Sequence, residues 1–95
     1  MKTTHDREKE RIDLYTDDGV RVGEIEYKLG GNNELFATHT EVFQGNEGKG
    51  YGSQLVDALA AYAEETNATI RPVCPFVTAL FQRKPDKYAK VIKRA

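Results

Sequence analysis

Residues 46–63, NEGKGYGSQLVDALAAYA, place glycines at 48, 50 and 52 directly before an Ala- and Leu-rich helix. Glycine in a helical turn costs about 0.5–1 kcal/mol relative to alanine, so three of them at a helix start indicate that something approaches the backbone closely. A helix N-terminus leaves about four N–H groups unpaired and carries roughly half a positive charge. The stretch therefore predicts a site for an anionic group.

The elements on either side of this loop predict the fold class. Period-two alternation predicts strands in RIDLYT and VRVGEIEYKL, the latter with a bulge at Gly23 and Glu24, and a third strand over 34–43. A helix runs to about Asn67, with an apolar stripe of Leu55, Leu59, Tyr62 and Ala63. A strand over 68–73 and a helix from Pro75 follow, and that helix restarts after Pro85.

These elements predict an α/β (α+β) fold with a mixed, mostly antiparallel sheet and two helices. The strand–glycine loop–helix–strand crossover makes strands 34–43 and 68–73 parallel neighbours. Their separation is expected to widen, because Pro72 cannot donate a ladder hydrogen bond. Residues 1–95 form one domain, with residues 1–8 frayed. Alternation along the third strand puts Leu35, Ala37, His39 and Glu41 on one face.

The composition narrows the class of protein. Charged residues are 31% of the 95 and sum to −1, so no basic surface for nucleic acid or an anionic membrane is expected. The start has no apolar stretch suited to a signal peptide, and ALAAYA falls far short of the about 20 residues that span a bilayer. One cysteine excludes an internal disulfide, and no Cys/His cluster has zinc spacing, so no metal is expected. We expect a cytoplasmic protein.

The glycine loop fits neither of two common nucleotide-binding motifs. A P-loop requires Ser or Thr after the lysine, but Lys49 is followed by Gly50. A dinucleotide fingerprint requires a different glycine spacing and an acidic residue about 20 positions later, where TIRPVCP has none. The loop EGKGYGSQL instead resembles that of the GNAT superfamily of N-acetyltransferases. HTEV, PVCPFV and RKPDKY match a small single-domain branch of it in order and spacing, and the resemblance covers about residues 22–92.

The resemblance implies an acetyl-CoA cofactor and the residues that hold it. The loop would bind the pyrophosphate through backbone amides, and the pantetheine arm would pair with the backbone of the strand before it, where one N–H polarises the thioester carbonyl. The implied cofactor-binding residues are Glu41, Val42, Phe43, Gly48, Lys49, Gly50, Tyr51, Gly52 and Ser53. Two positions depart from the pattern: Glu47 replaces a usual Arg or Gln, and Phe43 replaces a frequent proline.

Two side chains are candidates for catalysis. Cys74 precedes Pro75 at a predicted helix start, where the thiol pKa is lowered, so it could carry an acetyl group. The alternative is a small buried residue that lines the cofactor slot. His39 of HTEV is a candidate general base or a structural histidine, with Glu41 as a rival base. The C-terminal cations Arg83, Lys84, Lys87 and Lys90 could meet the 3′-phosphate, although a solvated helix face is the simpler interpretation.

The resemblance implies transfer of an acetyl group from acetyl-CoA to an amine, directly or through an acetyl-cysteine. Only MKTTHDREKE precedes the first predicted strand, so the acceptor site is expected to be open to small amines, peptides or proteins alike. One alternative is a CoA- or acyl-CoA-binding module without turnover, which needs neither Cys74 nor His39. Another is an interaction domain without a cofactor. Whether the purified protein binds CoA distinguishes the interaction domain from the acetyltransferase and the CoA-binding module.

Overall fold

A computed structural model describes residues 1–92, in which five strands form one sheet in the order β1-β2-β3-β4-β5. The elements are β1 (Lys2–Asp6), β2 (Arg11–Tyr15), β3 (Arg21–Leu29), β4 (Glu34–Val42), α1 (Tyr51–Glu65), β5 (Thr69–Pro72) and α2 (Pro75–Arg83). The first three pairings are antiparallel and β4 pairs with β5 in parallel. The predicted fold class is therefore confirmed.

The N-terminus is ordered, so the prediction of frayed residues 1–8 is wrong. Lys2–Asp6 pairs along its whole length with β2. The His5 imidazole lies 2.5 Å from the Tyr27 hydroxyl, and its ring packs edge-on against Tyr62 of α1 at 4.5 Å. Asp6 then closes the turn by accepting the N–H of residues 8 and 9. The polar segment is held by these tertiary contacts, which its own sequence does not reveal.

Two irregularities shift the register of the sheet. In β3, Leu14 pairs with Gly23 and Tyr15 with Arg21, which leaves Val22 as the extra residue, one position before the predicted bulge. In β4, Glu26 pairs with His39 and Tyr27 with Ala37, so the residue between, Thr38, is extra. An extra residue reverses the alternation of side chains beyond it, and this second irregularity decides which face of the sheet His39 occupies.

The core lies between the sheet and α1, whose predicted stripe is confirmed. Leu55, Leu59 and Ala63 are fully buried, and Tyr62 packs at the margin. They cover apolar side chains of every strand from β2 to β5, namely Ile12, Leu14, Val22, Ile25, Tyr27, Leu35, Ala37 and Ile70. Within residues 1–92 we find no helix of the length and apolarity that a bilayer crossing requires.

The chain after α2 does not return to a helix at Pro85 as predicted; residues 85–91 form turns. This segment runs beside α1 and reaches β5. The Tyr88 hydroxyl donates to Asp57 of α1 at 2.6 Å, and the amide of Ile70 donates to the carbonyl of Val91 at 2.6 Å. These contacts take the place of the intrahelical hydrogen bonds that the sequence predicted.

Candidate functional site

The parallel pair β4–β5 separates after four residues, as its sequence predicted. Pairing runs only from Glu34–Thr69 to Ala37–Pro72. The amides of Val73 and Cys74 both donate to the carbonyl of Ala37, at 3.0 and 2.9 Å. Beyond this point, residues 38–42 of β4 have no β5 partner within the described chain. A gap therefore opens between the two strands, next to the start of the glycine loop.

The backbone at the end of β4 offers one amide to this gap. The amide of Phe43 donates to the carbonyl of Val22 at 2.9 Å, so it points toward β3. The amide of Thr40 points to the opposite side, toward the Cys74 thiol. Because successive amides of a strand alternate in direction, the amide of Val42 points into the gap. Of the three backbone positions expected to meet the pantetheine arm, Val42 has the suitable orientation.

The loop glycines satisfy two different requirements. Gly48 and Gly50 have φ values of +78° and +77°, a left-handed conformation that favours glycine, and a Cβ on either would meet no atom within 4 Å. Gly52 lies in α1 with an ordinary φ, but its Cβ would approach the Phe76 ring to 2.6 Å. The first two glycines thus shape the backbone, and the third admits an aromatic ring from α2.

The start of α1 is an uncapped helix N-terminus. Gly50 occupies the cap position with no side-chain hydrogen bond, and the first turn contains no acidic residue. The amides of Gly48, Gly50, Gly52 and Ser53 donate to no acceptor within residues 1–92. The positive end of the helix dipole therefore lies beside a set of unpaired donors.

These amides border a cavity of about 270 Å³. It is lined by Val42 of β4, by loop and α1 residues from Asn46 to Ser53 other than Lys49, and by Phe76 and Arg83 of α2. Tyr51 thus lines it, whereas Lys49 is exposed outside it. The Glu47 carboxylate bends back to accept the Gly45 amide at 2.8 Å, so it supports the loop.

The Cys74 thiol lies at the N-terminal cap of α2, on the α1 face of the sheet, and is 7% exposed. Burial raises its pKa, but this effect is exceeded by the donors around the thiol, which are the Val77 amide, the nearby Thr40 hydroxyl and the amides of Phe76 and Thr40. The net result is a pKa below the ordinary value. The thiolate is stabilised without any contribution from a histidine.

The His39 imidazole lies on the other face of the sheet. His39 pairs with Glu26 and Glu41 with Glu24, so all four side chains share that face. The prediction that His39 and Glu41 share a face with Leu35 and Ala37 is wrong, because the extra residue in β4 reverses the alternation. His39 contacts Glu41 at 3.4 Å, and the two side chains are 48% and 53% exposed. Within residues 1–92, no contact joins His39 to Cys74.

Two residues that the sequence did not indicate lie next to the candidate groups. The Thr40 hydroxyl is buried beside Cys74, without a partner of full hydrogen-bond geometry. Phe76 forms one wall of the cavity. Both positions depend on tertiary geometry. Thr40 faces Cys74 only because of the irregularity at Thr38, and Phe76 reaches the loop only because residue 52 lacks a side chain.

The family described as GCN5-related N-acetyl-transferase matches residues 11–91. A search of curated proteins found no match. The chain is similar to the solution structure of a candidate GCN5-like N-acetyltransferase from Staphylococcus aureus, with a TM-score of 0.77 and 26% identity over 99% of this chain and 89% of that one.

Two larger acetyltransferases share the fold at lower identity. Nourseothricin acetyltransferase has a TM-score of 0.61 and 24% identity, over 77% of this chain and 46% of that one. Ribosomal-protein-alanine N-acetyltransferase from Brucella melitensis biovar Abortus 2308 has a TM-score of 0.58 and 22% identity, over 90% of this chain and 63% of that one. The chain thus shares its overall fold with these two acetyltransferases.

Proposed function

Because this chain belongs to the GCN5-related N-acetyltransferase family, we propose that it transfers an acetyl group from acetyl-CoA to an amine acceptor. The observation that carries the proposal is the uncapped start of α1. Its unpaired amides border a cavity that also reaches the end of β4. Such amides suit the diphosphate of the cofactor, since a helix N-terminus attracts anions.

We place the thioester in the gap between β4 and β5. There the Val42 amide, which points away from β3, would donate to the thioester carbonyl as negative charge develops on its oxygen. The acceptor nitrogen would form a bond to the carbonyl carbon, and the carbon–sulfur bond would break. The acceptor proton would pass to a base, and the thiolate of CoA would leave with the electron pair of the broken bond.

The acetyl group can reach the acceptor by two routes. In one, the Cys74 thiolate attacks the thioester carbonyl carbon and the thiolate of CoA leaves. The amine then attacks the acetyl-cysteine, its proton passes to a base, and the Cys74 thiolate leaves. The four hydrogen-bond donors around the thiol support this route. In the other, the amine attacks directly and an exposed group on the polar face of the sheet, His39 or Glu41, receives its proton. The separation of His39 from Cys74 supports a thiolate formed without histidine assistance.

Cofactor binding is tested by calorimetry with CoA on wild type and Gly50→Glu. A carboxylate at residue 50 would meet the phosphates with both bulk and like charge, so we expect binding to be lost. Gly19→Glu is the matched control. Gly19 has a φ of +85°, close to that of Gly50, its Cβ would also meet open space, and it does not line the cavity. Equal affinity of all three proteins for CoA would refute the proposed site.

Turnover is tested by incubating the protein with acetyl-CoA and no acceptor, followed by peptide mass spectrometry. The route through an acetyl-cysteine predicts one acetyl group on the peptide that contains Cys74, formed faster than on denatured protein. The route through an acetyl-cysteine also predicts that Cys74→Ala abolishes both the adduct and turnover. His39→Ala should leave the rate of adduct formation unchanged. Activity retained in Cys74→Ala would indicate direct transfer. Binding of CoA without turnover of any amine would favour the alternative, a CoA-binding module.

A further inference from the structure

The cavity beside the glycine loop contains one basic side chain, and that side chain comes from α2. Arg83 lies in the last turn of α2 and lines the cavity together with Gly48, Gly50 and Ser53. It forms no ion pair or hydrogen bond within residues 1–92. The Arg83 guanidinium thus has no protein partner within residues 1–92 that would compete with a ligand of that cavity.

The neighbouring cations are placed differently. The Lys87 ammonium pairs with Asp57 at 3.2 Å, and that of Lys90 with Glu64 at 3.4 Å, so both stabilise the contact with α1. Lys84 is exposed and does not line the cavity. Among the four cations of this segment that the sequence made candidates, only Arg83 both lines the cavity and has no carboxylate partner within residues 1–92.

A negative charge in the cavity is the physical reason why a nearby cation would favour phosphate binding. Glu47 lines the same cavity, and its carboxylate accepts the Gly45 amide. One of its oxygens is thus oriented by the loop, but the negative charge remains and opposes a bound phosphate. A guanidinium offsets that charge. Its planar fork also donates two parallel hydrogen bonds to a phosphate, which an ammonium cannot do.

On the basis of the proposed function, we propose that Arg83 binds the diphosphate of CoA and thereby sets the affinity for the cofactor. The amides of the glycine loop would hold one side of the diphosphate and the Arg83 guanidinium the other. This assigns Arg83 to the diphosphate and not to the 3′-phosphate, because it shares its cavity with the loop amides. Arg83 is a binding residue in this scheme and takes no part in the transfer of the acetyl group.

The test measures dissociation constants by calorimetry for CoA and for dephospho-CoA, which lacks the 3′-phosphate. The proteins are wild type, Arg83→Gln and the control Lys84→Gln, which removes the same charge one residue away. We expect Arg83→Gln to weaken binding of both ligands equally, by about tenfold, the effect of one charge-assisted hydrogen-bonded contact. Lys84→Gln should bind both as wild type does, and all three proteins should unfold at the same temperature.

Three results would overturn the assignment, and they differ from one another. Wild-type affinity in Arg83→Gln, with CoA bound normally, overturns the role of Arg83 alone and leaves the proposed function standing. A loss confined to CoA, with dephospho-CoA bound equally by both proteins, moves the arginine to the 3′-phosphate. No binding of CoA by the wild type removes the proposed function and this inference together.

Discussion

Replacing Thr40 with valine should stabilise the protein while making Cys74 less reactive. The Thr40 hydroxyl is buried and has no partner of full hydrogen-bond geometry; its polar neighbour is the Cys74 thiol. A buried polar group without a partner costs about 1–3 kcal/mol, and valine has nearly the same shape without that group. Since the thiol offers weak compensation, we take the low end and expect a gain of about 1 kcal/mol in the free energy of unfolding.

The same substitution removes one of the donors that lower the Cys74 pKa. The pKa of Cys74 is lower in the folded protein than 9.0, the ordinary value for the thiol. Ionisation of Cys74 therefore adds to the free energy of unfolding as the pH rises toward 9.0. This contribution is lost as the pH falls through the folded pKa. Thr40→Val has fewer donors to the thiolate, so it gains less from the same rise in pH. The difference in the free energy of unfolding between Thr40→Val and wild type should therefore shrink from about pH 6 to about pH 9.

Urea unfolding at the two pH values measures the free energy of unfolding, and the pH dependence of alkylation by a small thiol reagent measures the Cys74 pKa. In a domain of this size, 1 kcal/mol corresponds to a rise of about 4–8 °C in Tm. Thr38→Val is the matched control on the same strand, since Thr38 is exposed and its hydroxyl donates to the carbonyl of Glu26 at 3.3 Å. A less stable Thr40→Val, or an unchanged alkylation profile, would refute the reasoning.

Three further predictions concern the fold and its ionisable groups. Gly23→Ala should destabilise by about 1–3 kcal/mol in urea unfolding, because its Cβ would lie 2.7 Å from a backbone carbonyl of β4, whereas Gly31→Ala, with nothing within 4 Å, should be neutral. Tyr88→Phe should cost about 1–2 kcal/mol in the same assay, because it deletes the 2.6 Å hydrogen bond to Asp57; stability equal to wild type would contradict this. Burial is the main reason why the pKa of Tyr27 is raised to about 12. In a spectrophotometric titration, Tyr27→Phe should therefore remove one phenol that ionises only at high pH.

The sequence alone determined the features that arise from local rules. Glycines before an amphipathic stripe predicted the loop and α1, because each conformational preference acts within a few residues. The crossover connection and Pro72 predicted a parallel pair that separates early, and β4 and β5 do so. The family followed from motifs in this same region, and the acetyl-CoA site that those motifs imply stays a prediction.

Only the tertiary structure decided how the side chains of the site are combined. One extra residue in β4 turns His39 away from Cys74 and brings Thr40 to the thiol, and the register of a strand depends on its partner. β1 is held by the packing of His5 against Tyr27 and Tyr62, and Arg83 enters the cavity because of where α2 lies. Contacts between residues distant along the chain depend on the packing of whole elements, so no local pattern in the sequence specifies them.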